Sequence, residues 1–186
     1  GQCEAAKRDK AHAPRVQEVL AGLDFAGDRI SVIVPAECFQ TDIARLPAMP
    51  DEELRESIGF EAQDRFGIDR TQTIIGHLRL GGTVGGQSDV LIVALPREIV
   101  ETATGIINSP ATVAIHLEHA ALAALRGVAR QRMSECLDPA DAKDFAMIHL
   151  EDRVASLVLV REGAICFFRA ILGDWASTNK TAASGA

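Results

Sequence analysis

Apolar residues recur at every fourth position between residues 54 and 66, in the most strongly patterned stretch of the chain. Side chains at this spacing lie on one face of an α-helix. Pro47 and Pro50 precede the stretch, and Asp51 is placed to accept hydrogen bonds from first-turn N–H groups. Gly67 follows, at the position where helices commonly end. The pattern predicts a helix over 51–66 that packs one stripe on a sheet: Leu54, Ile58, Ala62 and Phe66.

Short apolar runs bounded by glycine or proline predict strands on both sides of this helix. The run within 89–95, VLIVAL, is apolar throughout, so we expect it to be the central strand of its sheet. Four glycines between two predicted strands lack the GKS or GKT ending of a phosphate loop, which favours a hairpin. These glycines are Gly81, Gly82, Gly85 and Gly86, and the predicted strands are 29–34, 36–46, 71–80 and 89–95.

The remaining segments complete a mixed α/β pattern. Pro14 begins a short helix over 14–23, and Pro96 begins a helix whose stripe includes Ile99 and Ala103. A short strand over 112–115 is followed by an alanine-rich helix over 117–133. Three further strands joined by tight turns predict a meander over 145–150, 154–160 and 164–171. The ends of the chain, 1–13 and 175–186, are small and polar, and we expect them to be flexible.

Composition narrows the function classes. With 186 residues, of which 47% are hydrophobic, the chain can bury a core of one or two domains. The formal net charge of −7 and the absence of a Lys/Arg run argue against sequence-independent nucleic-acid binding and against docking on an anionic membrane. No apolar run approaches the roughly 20 residues of a membrane-spanning helix, and no secretory leader is visible. We therefore expect a soluble protein with no direct membrane insertion.

Candidate chemistry is sparse. His116 and His119 are three positions apart, with Glu118 between them, whereas the zinc histidines of HExxH are four apart. The pair also spans a predicted strand end and helix start, so a helix-entry turn is the favoured interpretation and no metal is expected. His77 lies among apolar residues of a predicted strand. The four cysteines form no CxxC pair and are expected to be reduced. Without a GxSxG motif either, nothing supports catalysis.

The order of the elements resembles that of the PilM family of type IV pilus assembly proteins. That family is similar to the cell-division protein FtsA and, more distantly, to secretion platform proteins of the GspL kind. The resemblance covers 14–174 and begins with a proline-ended strand and an extended segment that ends in Leu-Pro. A glycine hairpin, a strand running into a proline and a helix, and a strand meander follow. Its recurring positions include an acidic helix motif and four residues of the meander: Glu52, Glu53, Leu54, Ile58, Phe60, Glu61 and Ala62, then Gly163, Phe168, Arg169 and Gly173.

The resemblance implies an α/β fold of mixed type, with actin-like (ribonuclease H-like) subdomain elements and an inserted domain of the SHS2 type. The actin-like portions would be 14–35 and 111–174, and the SHS2-like insert would be 36–110. The family's first phosphate loop would lie before residue 14, and most of its second half would follow residue 174.

The second phosphate turn of the family, an Asp-Ile-Gly followed by hydroxyl residues, falls on His149, Leu150 and Glu151. A phosphate turn needs glycine because the backbone must approach the anion closely. Here a glutamate stands in that place and Asp152 follows it, which puts two negative charges beside any triphosphate. We therefore expect no ATP binding in the manner of the family, and no cofactor.

By resemblance, the leading hypothesis is a non-catalytic cytoplasmic scaffold at the inner-membrane face of a bacterium. It would belong to a type IV pilus or type II secretion platform and hold a short cytoplasmic peptide of a membrane-anchored partner. Glu61 and Arg169 are the candidate partner-binding residues, with a structural salt bridge or a surface role as the alternative for each. One alternative is an actin-like ATP-binding protein of pilus assembly or cell division, with phosphate loops outside this chain. The other is a free-standing SHS2-type module with small-molecule activity. Its candidate functional residues would be His77, His116 and His119.

Overall fold

A computed structural model describes residues 18, 29–106, 114–135 and 143–173. Three helices and eight strands are defined within these ranges. The helices are α1 (Asp51–Phe66), α2 (Arg97–Ile106) and α3 (Ala120–Glu135), and a short 3₁₀ turn covers Ala36–Cys38. The strands are β1 (Arg29–Val34), β2 (Gln40–Pro47), β3 (Thr73–Val84), β4 (Gln87–Pro96), β5 (Ala114–His119), β6 (Phe145–Leu150), β7 (Val154–Arg161) and β8 (Ala164–Leu172).

The described strands form three sheets. β1 and β5 pair in parallel, with Arg29 opposite Ala114 and Val34 opposite His119. β2, β4 and β3 form an antiparallel sheet in that order, and β6, β7 and β8 form an antiparallel meander. β4 is the middle strand of its sheet, as its apolar run predicts, and Val90, Leu91 and Ile92 are fully buried. The predicted division into an insert over 36–110 and flanking portions stays a prediction.

Helix α1 covers one face of the β2–β4–β3 sheet. Its stripe residues Leu54, Ile58 and Ala62 are buried against the strand residues Ala44, Leu46, Val90 and Ile92. The helix ends at Gly67, whose backbone φ of 62° is the left-handed conformation that glycine adopts without strain. The start differs from the prediction, because Pro50 is the capping residue and no side chain caps the first turn. Asp51 instead forms an ion pair with Arg79 of β3 at 2.9 Å.

The other face of this sheet packs against the β6–β7–β8 sheet and α3. Leu80 and Leu91 contribute from the first sheet, Ala121 and Leu125 from α3, and the meander adds Met147, Val158, Val160 and Phe168. A third cluster joins Val34 and Cys38 to Leu95 and Ile99. The two larger sheets therefore share one hydrophobic core. This packing brings the ends of β2, β7 and β8 close to each other.

Some further predictions need correction or fall outside the described ranges. The strand predicted over 112–115 is β5 and extends to His119, so α3 begins three residues later than predicted. Cys38 takes part in a disulfide, so the expectation of four reduced cysteines is wrong for this residue. The helix predicted over 14–23 lies almost wholly outside the described residues. Among the described helices, none has the length and hydropathy that crossing a membrane requires.

The predicted glycine hairpin is a two-residue turn. β3 extends to Val84, and only Gly85 and Gly86 form the reversal, with φ values of 60° and 75°. Gly81, with φ of 58°, lies where the β3–β4 register shifts between Leu80 and Val84. Positive φ at both turn residues matches the right-handed twist of the flanking strands.

We expect Gly86→Ala to lower the free energy of unfolding by about 1 kcal/mol, because alanine is strained at positive φ. The matched control is Gly127→Ala in α3, where an added Cβ meets no atom within 4 Å. That change should raise stability by roughly 0.5–1 kcal/mol, because alanine favours the helix. Urea unfolding of both variants measures the difference. Equal effects of the two substitutions would contradict the assignment of the turn.

Candidate functional site

The turn between β6 and β7 lies against the 3₁₀ turn that follows β1. The backbone N–H of Glu151 donates to the carbonyl of Val154 at 2.9 Å and closes the β6–β7 turn. The Glu151 carboxylate in turn accepts a hydrogen bond from the backbone N–H of Ala36 at 3.0 Å. Next to it, the Arg153 Nε lies 3.8 Å from the Glu37 carboxylate. Residues that are far apart in the sequence therefore meet in one polar junction.

In this junction the backbone N–H of Ala36 already has an acceptor from the same chain, the carboxylate of Glu151. A free N–H at the start of a helical turn is the kind of group that binds phosphate oxygens. At Ala36 the Glu151 side chain, which is partly buried, occupies that donor. An anion approaching Ala36 would have to displace this carboxylate and would meet its charge.

Two histidines lie beside the junction. His149 has its Nδ1 at 3.8 Å from the Glu151 carboxylate. His119 is only 3% exposed, and its Nδ1 accepts from the backbone N–H of Ala121 at 3.2 Å. Its ring centroid lies 4.7 Å from that of Phe39 and 5.4 Å from that of Phe168. Burial, with a smaller contribution from the nearby His149, lowers the pKa of His119 to about 4, so the ring is neutral at pH 7.

The described histidines do not form a metal site. All of His116–His119 lies in strand β5, so His116 and His119 point to opposite faces of the sheet. The predicted helix-entry turn at these residues is therefore wrong. Glu118 forms an ion pair with Arg126 of α3. His77 is in a different sheet, and burial, followed by the charge of Arg79, lowers its pKa. Within the described ranges, no three His, Cys, Asp or Glu side chains are grouped to hold a metal.

A groove of about 450 Å³ opens next to this junction. One wall is the 3₁₀ turn and the start of β2, another is the end of α1, and the third consists of β7 and β8. The lining mixes apolar with polar side chains. The lining residues are Ala36, Glu37, Phe39, Gln40, Thr41, Arg65, Phe66, Val154, Ala170 and Leu172.

The groove has one guanidinium, and it is held in place by two carboxylates. Arg65 donates to Asp42 of β2 at 2.7 Å and to Glu61, one helical turn earlier, at 2.9 Å. These hydrogen bonds, first with Glu61 and then with Asp42, raise the pKa of Arg65. The candidate Glu61 therefore lies behind the groove and fixes one of its lining side chains.

The second candidate, Arg169, lies elsewhere. Its neighbour Ala170 lines the groove, and side chains alternate along a strand, so Arg169 points to the opposite face of β8. The structure does not bring Glu61 and Arg169 together, and a partner-binding role for either stays a prediction. The groove residues themselves escaped sequence reasoning, because three distant segments form it and none carries a motif.

Comparison with solved structures places this geometry among known folds. A chain of the PilM–PilN type IV pilus biogenesis complex aligns over 94% of this chain with a TM-score of 0.71 and 18% identity. This chain has the same fold. The cytoplasmic domain of EpsL, an inner-membrane component of the type II secretion system of Vibrio cholerae, aligns over 90% with a TM-score of 0.51 and 10% identity. A Bacteroides thetaiotaomicron protein with an actin-like ATPase fold and unknown function aligns over 92%, with a TM-score of 0.47 and 8% identity.

The mixed α/β fold class implied by the resemblance is thereby confirmed, and its actin-like elements stay a prediction. This chain spans 51% of the PilM–PilN complex chain and 59% of the EpsL chain. No protein-family model matches the sequence, and no curated protein matches it. The similarity therefore establishes the fold, while activity and partners have to be argued from the chain itself.

Proposed function

We propose that this chain is a non-catalytic scaffold of a type IV pilus or type II secretion platform. It would lie at the cytoplasmic face of the inner membrane and hold an extended peptide of a membrane-anchored partner in the groove. The observation that carries the proposal is the groove itself, which lies between two edge strands. The proteins with this fold include a pilus biogenesis complex and a secretion-system component, which is consistent with such a role.

The groove offers what an extended peptide needs. Among the described strands, β2 and β8 lie at the edges of their sheets, the position at which an added strand can pair. Main-chain hydrogen bonds to such an edge give affinity, and neighbouring pockets select alternate side chains. Phe39, Phe66, Val154 and Leu172 supply apolar surface along the walls. We therefore expect a short, largely apolar peptide in extended conformation.

The test uses a panel of fluorescein-labelled peptides from the cytoplasmic segments of membrane-anchored pilus and secretion proteins. Binding to the whole chain is followed by fluorescence anisotropy. Gln40→Trp should fill the groove and weaken a bound peptide by about tenfold or more, since an exposed lining residue changes without disturbing the core. The matched control is Gln87→Trp, an exposed glutamine at the far end of the same β2–β4 ladder.

Saturable binding that Gln40→Trp removes and Gln87→Trp preserves supports the proposal. If no peptide of the panel binds, or if both variants bind as the unaltered chain does, the groove is not the peptide site. The SHS2-type assignment of 36–110 is part of the same proposal and rests on the resemblance alone.

An actin-like ATP-binding function is the second candidate, and the shared fold is what favours it. Against it stands Glu151, because its carboxylate occupies the Ala36 N–H and would repel a phosphate. Isothermal titration with Mg-ATP should show no binding in the micromolar range. Micromolar affinity would reverse the order of the two candidates. The third candidate, a small-molecule module built on His77, His116 and His119, has no support from their placement in two sheets and on opposite faces of β5.

A further inference from the structure

The 3₁₀ turn forms one wall of the groove, and the backbone N–H at its start has no acceptor within the turn. The N–H of Cys38 donates to the carbonyl of Pro35 at 3.0 Å. The N–H of Phe39 donates to the carbonyl of Ala36 at 3.1 Å. The N–H of Ala36 comes before these donors and is left over, as at the start of any helix. Pro35 provides no capping side chain, so the acceptor has to come from elsewhere in the chain.

Glu151 supplies this acceptor from a fixed position on the meander. Its own N–H donates to the carbonyl of Val154 at 2.9 Å, and the N–H of Gly173 donates to the carbonyl of Arg153 at 2.9 Å. These two bonds fix the β6–β7 turn to the start of β7 and the end of β8. Val154 and Leu172 are paired at this place and line the opposite wall of the groove. The Glu151 carboxylate is therefore fixed relative to that wall.

The hydrogen bond from Ala36 to Glu151 joins the two walls. Its length is 3.0 Å, and Ala36 is only 2% exposed. Hydrogen bonds to a carboxylate are stronger than those between neutral groups. The ion pair beside it is weaker, because Arg153 lies 3.8 Å from the Glu37 carboxylate and its side chain is 64% exposed to solvent. Glu151 thus provides the stronger of these two polar links between the 3₁₀ turn and the meander.

The other end of the 3₁₀ turn is held by packing on a different side. Cys38 is 6% exposed and packs against apolar residues of β1, β4 and α2, namely Val34, Leu95 and Ile99. Phe39 reaches β8 through an intermediate ring, because it contacts His119 and His119 contacts Phe168. Packing at Cys38 fixes the turn to β1 and β4, but it does not set the distance from the turn to β7 and β8.

We propose that Glu151 is the positioning residue of the groove: by accepting from Ala36 it sets the distance between the 3₁₀ turn and the meander, and thereby the affinity for an extended peptide. Glu151 does not line the groove, so it acts through Ala36 and not by touching the peptide. A groove that is ordered before binding loses less entropy when a peptide binds. The affinity part rests on the proposed function, whereas the order of the turn can be measured without a peptide.

Three substitutions of Glu151 separate the acceptor from the rest of the side chain. Glu151→Ala removes the acceptor, and alanine fits the backbone because φ at this position is not positive. Glu151→Gln keeps an oxygen that can accept from Ala36. Glu151→Asp keeps the charge on a side chain one methylene shorter, and it replaces the alanine variant in the test if that variant does not fold. The matched control is Arg153→Gln, which removes the exposed ion pair of the same junction.

Amide hydrogen exchange measured by NMR reports on the turn itself. In Glu151→Ala, the amide of Ala36 should exchange about tenfold faster or more, because a hydrogen bond to a charged group is lost. The amides of Cys38 and Phe39 should accelerate with it, because the turn loses its anchor. Exchange in Glu151→Gln should stay within about threefold of the unaltered chain, and in Arg153→Gln within about twofold. Amides of the central strand β4 report global unfolding and separate it from this local effect.

Peptide affinity, measured by anisotropy with the same peptide panel, is the second readout. Glu151→Ala should weaken a bound peptide by about tenfold, and Glu151→Gln should bind within about threefold of the unaltered chain. If no peptide binds while the three amides respond as expected, the peptide function is contradicted and the role of Glu151 in holding the turn is supported.

Four results would overturn the proposal. The first is faster exchange at Ala36 alone, because the bond would then not position the turn. The second is equally fast exchange in Glu151→Gln and Glu151→Ala. The third is an equal effect of Arg153→Gln and Glu151→Ala. The fourth is unchanged affinity of Glu151→Ala for a peptide that binds the unaltered chain.

Discussion

Leu91→Ala is expected to lower the free energy of unfolding by about 3 kcal/mol, within the range of about 2–5 kcal/mol seen for buried leucines. Leu91 is fully buried in the central strand β4, where it contacts the core shared by both large sheets and α3. Alanine would remove the apolar side chain and leave a cavity that the paired strands on either side cannot close. Urea unfolding followed by circular dichroism measures the loss.

The control for this prediction is the cross-strand neighbour. Leu78 is paired with Leu91 in the β3–β4 ladder but is 40% exposed. Leu78→Ala should cost less than about 1 kcal/mol, since water already reaches the side chain and little cavity forms. If Leu91→Ala and Leu78→Ala lower the free energy of unfolding by the same amount, β4 is not the centre of the core.

Acidification from pH 7 to pH 4 is expected to destabilise the protein through His119 by up to about 3 kcal/mol. The folded protein lowers the pKa of this histidine to about 4, whereas the unfolded chain holds it near its ordinary value of 6.5. The unfolded state therefore binds a proton at a pH where the folded state does not. Stability from this group is complete above pH 6.5 and falls as the pH drops towards 4.

His119→Asn isolates this contribution. The asparagine oxygen can still accept from the Ala121 N–H, but the side chain does not titrate. Unfolding free energies measured at pH 7 and pH 4.5 should differ less for His119→Asn than for the unaltered chain. His116→Asn, an exposed histidine on the opposite face of β5, is the matched control. Identical pH profiles for the unaltered chain and His119→Asn would contradict the burial of a neutral ring.

Much of the fold could be predicted from local patterns. Four-residue spacing and Gly67 predict α1 and its C-terminal end but not the cap at its start, and the VLIVAL run identifies β4 as a central strand because both of its faces are covered. The boundary between β5 and α3 could not be placed in this way. The local sequence of His116–His119 is typical of the start of a helix, but pairing with β1 extends the strand to His119. Such pairing depends on residues far away in the sequence.

The candidate site was harder to predict for the same reason. The sequence indicates that Glu151 replaces a phosphate-binding glycine, but it does not indicate that the carboxylate accepts from Ala36. A partner-binding role is predicted for both Glu61 and Arg169, and only the strand register shows that Arg169 faces away from the groove. The groove walls come from the 3₁₀ turn, α1 and the meander, so no local pattern marks them.

The parallel pairing of β1 with β5 has a consequence for how the chain reaches its native state. Paired residues of the β6–β7–β8 meander are at most 18 positions apart, as Val154 and Leu172 are, so each hairpin closes a short loop. Arg29 and Ala114 can pair only after the whole intervening chain has been confined, and the entropy of that closure must be offset by contacts that already exist. We therefore expect the β1–β5 sheet to form late in folding, and the burial of His119 to follow from its formation.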